Sequence, residues 1–296
     1  MASKKQSQCH SSSIDVCHSS VPWVEKYRPK TLLDVVAQRK VIDTLQALVS
    51  QDKLTHLILH GPPGTGKTST ALALAKQVAG KANTLELNAS DDNGIVTVRD
   101  VIQRFATTTG LVQQHNNAQD GNNAQDGKNN NLKVIVLDEA DSMSPEAQAA
   151  LRGTIERYST TCRFCFICNS INKISPAIRS RCKQLRFVRL DRSLVARKIV
   201  QVAQQEDLVL QDDALDAIMH TSNGDMRIAL NTLQALNQQT TTNNNKQPIC
   251  KAMVYACTAC CDPTDILMLA EVLTSRLGFC TIYAQVQKKC LDKRVV

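Results

Sequence analysis

Aromatic side chains are scarce in this chain: phenylalanine, tyrosine and tryptophan make up 3% of its 296 residues, and there is one tryptophan. Proteins that grip single strands by stacking bases on rings need more than this, so any nucleic-acid contact is expected to be electrostatic. No apolar run approaches the ~18 residues that a membrane helix needs, so no membrane span is implied. The start, Met1-Ala2-Ser3-Lys4-Lys5, leads into a Ser/His/Cys stretch with no apolar signal core. The 12 cysteines are therefore expected to be reduced thiols of cytosol or nucleus, not a disulfide framework. The formal charge of +8 fits a polyanionic partner, although many proteins without one are equally basic.

Metal-ligand spacing is also thin. Cys162, Cys165 and Cys168 stand in the C-x-x-C-x-x-C spacing of iron–sulfur ligand runs. Phe164, Phe166 and Ile167 interleave with them, however, and a strand would send Cys162 and Cys165 to opposite faces. A buried strand with thiols as small hydrophobes is the expected reading. Cys257 and Cys260 form a C-x-x-C pair with no second pair at zinc spacing behind it.

Residues 1–20 are polar and aperiodic and are expected to be a disordered arm. From 113 to 131 the sequence Asn-Asn-Ala-Gln-Asp-Gly occurs twice, followed by Lys-Asn-Asn-Asn, a low-complexity insertion. A second polar tract, Gln238 to Gln247, marks a linker centred on 241–247. Between the tracts strands alternate with helices: Leu57–Leu59, a helix through Lys76, Leu85–Leu87, a helix over Ile95–Phe105, and Val134–Leu137. A helix over Ala147–Tyr158 and a strand over Arg163–Cys168 follow. The run Val134-Ile135-Val136-Leu137 is the mark of a strand buried on both faces. This alternation predicts an α/β domain over 21–186, a parallel sheet with helices on both faces. Strands then stop near Arg186, and helices over Ser193–Glu206, Asp213–His220 and Met226–Leu236 predict a small helical domain over 187–240. Thr264–Leu277 and Cys280–Cys290 are further expected helices within 248–296.

Gly61-Pro62-Pro63-Gly64-Thr65-Gly66-Lys67-Thr68 matches G-x-x-x-x-G-K-[ST] and lies between an expected strand and an expected helix. Glycines let backbone N–H groups wrap phosphates, and the helix adds its positive N-terminal end. Lys67 is expected to reach the β- and γ-phosphates of ATP, and Thr68 to ligate Mg²⁺. Seventy residues later the apolar strand ends in Asp138-Glu139-Ala140-Asp141. Beside a phosphate loop, Asp138 can hold the Mg²⁺ shell while Glu139 acts as general base on the attacking water. An Asp-Glu pair alone is often only a solvated strand end; the phosphate loop gives it meaning.

The row Val21-Pro22-Trp23-Val24-Glu25-Lys26-Tyr27-Arg28-Pro29 resembles the opening signature of replication factor C small subunits. The segments Glu86 to Asp92, Leu137 to Asp141, Ser180-Arg181-Cys182 and Ser222-Asn223-Gly224-Asp225-Met226-Arg227 are similar to that family too, in the same order, from about residue 21 to 275. The resemblance implies an AAA+ fold: a nucleotide-binding domain, a helical lid and a helical collar. It implies a clamp loader that uses ATP to place the sliding clamp (PCNA) on primer–template DNA in the nucleus, as part of a heteropentamer. Val21 and Arg28 would line the adenine pocket. Asn169 would position the hydrolytic water, Arg227 on the lid would touch the γ-phosphate, and Arg181 would serve a neighbouring subunit's ATP as an arginine finger. Taken alone, Asn169 is as easily a strand-end cap and Arg227 a solvated helix arginine. The family's helices track template phosphates, and Arg99 lies at a matching position; an ordinary solvated face stays an equal reading for Arg99 and Arg104.

Departures from the family are also visible. Asn93, Gly153 and Ile228 stand where an arginine is usual, and residues 248–296 are expected to form only a partial collar. Two other functions stay open on the sequence. One is a different AAA+ remodeller, a Holliday-junction motor or replication initiator, against which the opening signature and Ser180-Arg181-Cys182 speak. The other is a non-catalytic scaffold that binds ATP structurally and lends Arg181 to its neighbour.

Overall fold

The computed structural model describes residues 21–35, 38–90, 95–108, 132–242 and 248–274. The expected arm over 1–20, Asn93, the insertion over 113–131 and the helix expected over Cys280–Cys290 lie outside these residues. Among the described residues, β1 (Leu57–His60), β2 (Thr84–Asn88), β3 (Lys133–Asp138), β4 (Cys162–Cys168) and β5 (Lys183–Arg186) form one parallel sheet in the order β2-β3-β4-β1-β5. Parallel neighbours need crossovers, and the crossovers supply the helices that cover both faces.

Alternation along the strands sorts their side chains. Leu57, Leu59, Val134, Val136, Cys165 and Ile167 share one core with Ala71 and Leu74 of α3 (Lys67–Ala79) and Leu45 of α2 (Arg39–Ser50). Ile58, Ile135, Leu137, Phe164, Phe166, Cys162 and Cys168 share the other with Ile102 of α4 (Ile95–Thr107) and Leu151 and Ile155 of α5 (Pro145–Arg157). Cys162 and Cys168 therefore face away from Cys165, and the three thiols do not converge. Burial pushes the Cys165 and Cys168 thiols up to about 12, which keeps them protonated and unreactive.

His56 enters β1 beside Phe164, whose backbone N–H donates to His56 Nδ1 at 3.2 Å. That nitrogen must be unprotonated to accept. Burial, with Arg163 adding repulsion, lowers the imidazole pKa to about 4. Because the folded value lies below the unfolded one, the unfolded chain binds the proton first as pH falls. Stability should therefore decline from about pH 6.5 to about pH 4, by at most about 3 kcal/mol from this group. Urea midpoints followed across that window check it. His56→Gln, which keeps an acceptor, should flatten the difference; parallel curves for the two proteins would refute the assignment.

β5 was not among the strands expected, although it ends at Arg186, where strands were expected to stop. Only Leu185 of Lys183-Gln184-Leu185-Arg186 is buried, and a charged edge strand carries little apolar signal. The helical part contains α7 (Arg192–Gln205), α8 (Asp212–Ser222), α9 (Met226–Thr242) and α10 (Lys251–Thr258), with α11 (Pro263–Thr274) following. Two differences concern its limits. The tract expected to begin a linker at Gln238 is helical to Thr242, because Leu233, Leu236 and Thr240 continue the buried face of α9. Residues expected to open the collar instead join the lid core, where Ile249, Val254 and Tyr255 pack with Ile218 and Leu233. Trp23 of α1 (Trp23–Lys26) belongs to that same core and not to the α/β domain, and its backbone N–H donates to Gln234 Oε1 at 2.9 Å. Lys26 Nζ and Tyr27 Oη both meet Glu206 Oε1 at 2.5 Å, tying the opening segment to the end of α7.

Candidate active site

β1 ends at His60 and α3 begins at Lys67, so residues 61–66 must reverse the chain over the C-terminal edge of the sheet. Gly61, Gly64 and Gly66 take φ of 147°, 65° and 90°. A Cβ at Gly61 would stand 2.2 Å from the Phe187 carbonyl oxygen, so that position needs glycine for space as well as for backbone freedom. The loop leads the first unpaired N–H groups of α3 into the hollow it encloses, and the helix dipole adds positive potential there.

Lys67 is buried, with its ammonium donating to the carbonyls of Gly61 and Pro62 at 2.8 Å each and to Asn169 Oδ1 at 3.0 Å. Burial holds this ammonium below the usual lysine range, with Asp138 and Asp141 pulling it back. β3 and β4 are adjacent central strands, so their ends bring the acidic segment and Asn169 to the same rim. Asp138 Oδ2 accepts from Thr68 Oγ1 at 2.8 Å, and Asp138 Oδ1 accepts from the Glu139 N–H at 2.8 Å. Glu139 takes φ 53°, a left-handed turn that leaves its side chain at the wall of the cavity. Asp141 lies one short turn on, and its Oδ2 accepts the backbone N–H groups of Asn169 and Ser170 at 3.3 Å each.

The lid closes the other side. Asp225 Oδ1 accepts the N–H groups of Arg227 and Ile228 at 2.8 and 3.3 Å, capping α9, while the Met226 N–H donates to Gly64 O at 3.2 Å. The carboxylate stands where a Cβ on Gly64 would be, 1.7 Å away, so the cap and the loop fit only around a glycine. Arg227 lines the resulting cavity of about 190 Å³.

That cavity gathers most of the residues that the sequence singled out: Arg28, Pro63, Gly64, Thr65, Gly66, Lys67, Thr68, Asp138, Glu139, Asn169 and Arg227. Gly61 and Pro62 lie behind it and act through their carbonyls on Lys67. Val21 does not line it; it is 45% exposed, and Val24, Tyr27, Pro29 and Val35 supply the apolar wall instead. Trp23, two residues on, is the side chain of this segment that is buried in the lid core, and Val21 precedes α1 outside that contact. Lys198 of α7 lines the cavity too, and no sequence signal distinguished it from its solvated neighbours.

Arg181 lies elsewhere, on the chain between α6 (Pro176–Arg179) and β5. Its guanidinium meets Glu156 Oε1 at 2.6 Å and the Ala177 carbonyl at 2.7 Å, and it takes no part in the cavity. Arg99 and Arg104 are exposed on α4. Arg99 borders a separate hollow with Gln103, Thr154, Arg157 and Tyr158, next to Gly153, where an added Cβ would meet nothing within 4 Å.

A family model described as "ATPase family associated with various cellular activities (AAA)" matches residues 57–190, and one described as "RCF1/5-like, AAA+ ATPase lid domain" matches 198–237. Replication factor C subunit 3 of Oryza sativa subsp. japonica is 43% identical over 254 residues, which cover 85% of this chain and 65% of the relative. Subunit 3 of Saccharomyces cerevisiae is 42% identical, over 88% of this chain and 72% of the relative. Subunit 5 of Mus musculus is 40% identical, over 91% and 74%. The chain thus spans between about two thirds and three quarters of the length of these relatives. Among solved structures, the Thermotoga maritima RuvB Holliday junction branch migration motor superposes with a TM-score of 0.61 at 20% identity, over 88% of this chain and 85% of that one. At that identity the likeness speaks for the fold alone.

Proposed function

The chain belongs to the replication factor C subunits, a family of clamp-loading AAA+ ATPases, and from that premise we propose that it binds and hydrolyses ATP to load the sliding clamp (PCNA) onto primer–template DNA in the nucleus, during replication and repair. The observation that carries this reading is the convergence of Lys67, Glu139, Asn169 and Arg227 from four separate elements on one cavity.

Phosphoryl transfer asks for positioning and positive charge more than for covalent chemistry. The loop N–H groups and Lys67 hold the phosphates, Glu139 polarises the attacking water, Asn169 orients it, and Arg227 meets charge developing on the γ-phosphoryl oxygens. The hydroxyl of Thr68 and the carboxylate of Asp138 are a hard oxygen pair suited to Mg²⁺, which would neutralise phosphate charge when bound. Tyr27, Pro29 and Val35 offer the base an apolar wall, with Arg28 beside it.

Arg181 has no role in its own cavity, and a cation held at the surface by Glu156 suits delivery to a neighbouring subunit's site in a heteropentamer. Arg99 and Arg104, exposed on α4, suit phosphate contacts that position the DNA without reading its sequence. Mixing the full chain with the other replication factor C subunits and measuring ATP turnover tests the reading. Turnover should rise when clamp and primed DNA are added together. No association with those subunits, or turnover indifferent to clamp and DNA, would overturn it.

A further inference from the structure

Asp141 shares the four-residue acidic segment with Asp138 and Glu139, yet the reading above gives it no task. Its surroundings do. The half-buried carboxylate reaches across from the end of β3 to the end of β4, where one oxygen takes the N–H groups of both Asn169 and Ser170. Asn169 is otherwise an exposed residue just past a strand, with backbone freedom that its neighbours in the sheet lack. Its side-chain oxygen meets Lys67 Nζ at 3.0 Å, so the place of that amide depends on how the backbone at 169 and 170 is held.

We propose that Asp141 is a positioning residue for Asn169: by fixing two consecutive N–H groups it sets the amide at the distance from Lys67 that hydrolysis requires. The proposal rests on the ATPase reading of this cavity. Each bond is long at 3.3 Å, so the hold on the backbone comes from the two together and not from either alone. A displacement of about 1 Å at such a group can cost up to ~10²-fold in rate. The competing role is local only. Ser170 precedes the short turn Ile171–Lys173 and gives it no side-chain cap, so Asp141 would serve merely as that turn's cap.

Three variants in the assembled complex separate these roles. Asp141→Ala should leave ATP affinity within about threefold of the parent, because the loop and Lys67 bind the phosphates, and should lower kcat by roughly 10- to 100-fold. Asp141→Asn keeps an acceptor and should recover most of that loss. If Asp141 acts through Asn169, the pair Asp141→Ala with Asn169→Ala should be no slower than Asn169→Ala alone. Independent slowing by the two changes would overturn the proposal, as would a parallel loss of affinity and kcat in Asp141→Ala. Amide hydrogen exchange supplies a readout that needs no turnover: the Asn169 and Ser170 amides should be protected in the parent and in Asp141→Asn, and lose protection in Asp141→Ala while other β4 amides keep theirs. Equal exchange in parent and alanine variant would also overturn it. Absence of turnover in the unaltered complex would overturn the ATPase reading instead, and amide exchange would then decide the role of Asp141 alone.

Discussion

Arg181→Ala should leave ATP affinity at this chain's own site nearly unchanged and slow hydrolysis at the adjacent subunit's site by roughly 10³- to 10⁵-fold, the range of an arginine supplied in trans. The geometry gives the reasons. Arg181 is absent from the walls of its own cavity, where Arg227 already provides a cation, and it lies between α6 and β5, paired with Glu156 of α5. Its partner Glu156 is nearly half exposed at 47%, so the ion pair is a surface one that should contribute no more than about 1 kcal/mol to stability. Loss of the pair therefore cannot account for a large catalytic effect. Assemblies that combine the variant with unaltered partners, assayed under single-turnover conditions at each site, read the difference. Impaired nucleotide binding by the variant chain itself, with the neighbour's turnover intact, would remove the trans assignment.

A second large effect is expected from separating binding from chemistry inside the cavity. Lys67→Ala removes the buried ammonium that bridges the loop and Asn169, and should abolish detectable ATP binding. Glu139→Gln should bind ATP much as the parent does and lose at least ~10²-fold in turnover, since it deletes the base and leaves the Asp138–Thr68 pair in place. Glu139 makes the split possible because its side chain reaches the cavity wall without bonding to the loop. Nucleotide binding followed by fluorescence, beside phosphate release, checks both variants. If Glu139→Gln abolished binding as completely as Lys67→Ala, the division of roles would fail. If Glu139→Gln turned over at the parent rate, Glu139 would not be the base; absence of turnover at the parent's own site would instead favour the non-catalytic scaffold.

The phosphate loop, the acidic strand end and the central strands were legible because their chemistry admits few substitutes. A loop that must turn between strand and helix while wrapping phosphates asks for glycine at fixed places, and β3, buried on both faces, must be apolar throughout. Elements whose environment is decided by partners far along the chain were not legible. β5 carries one buried leucine among charged neighbours, and only its pairing with β1 makes it a strand. Trp23 reads as the start of the first domain, yet its burial depends on α9, some two hundred residues later. Val21, expected beside the base, does not line this cavity. Asp141 was hidden at shorter range: its spacing shows an acid near the site but not the two N–H groups it holds, 28 and 29 residues on. Lys198 stood with the exposed Arg192 and Arg197 of α7, with no periodic or motif signal to set it apart.

The tie between α1 and the lid has a mechanical consequence. Trp23 is bonded to Gln234 on α9, and Lys26 and Tyr27 to Glu206 at the end of α7, while Arg227 starts α9 itself. Val24, Tyr27 and Arg227 are thus mounted on one jaw of the cavity, and the glycine loop with Val35, Asp138 and Glu139 on the other. A swing of that jaw would carry Val24, Tyr27 and Arg227 together, while Lys67, the loop and Val35 stay behind.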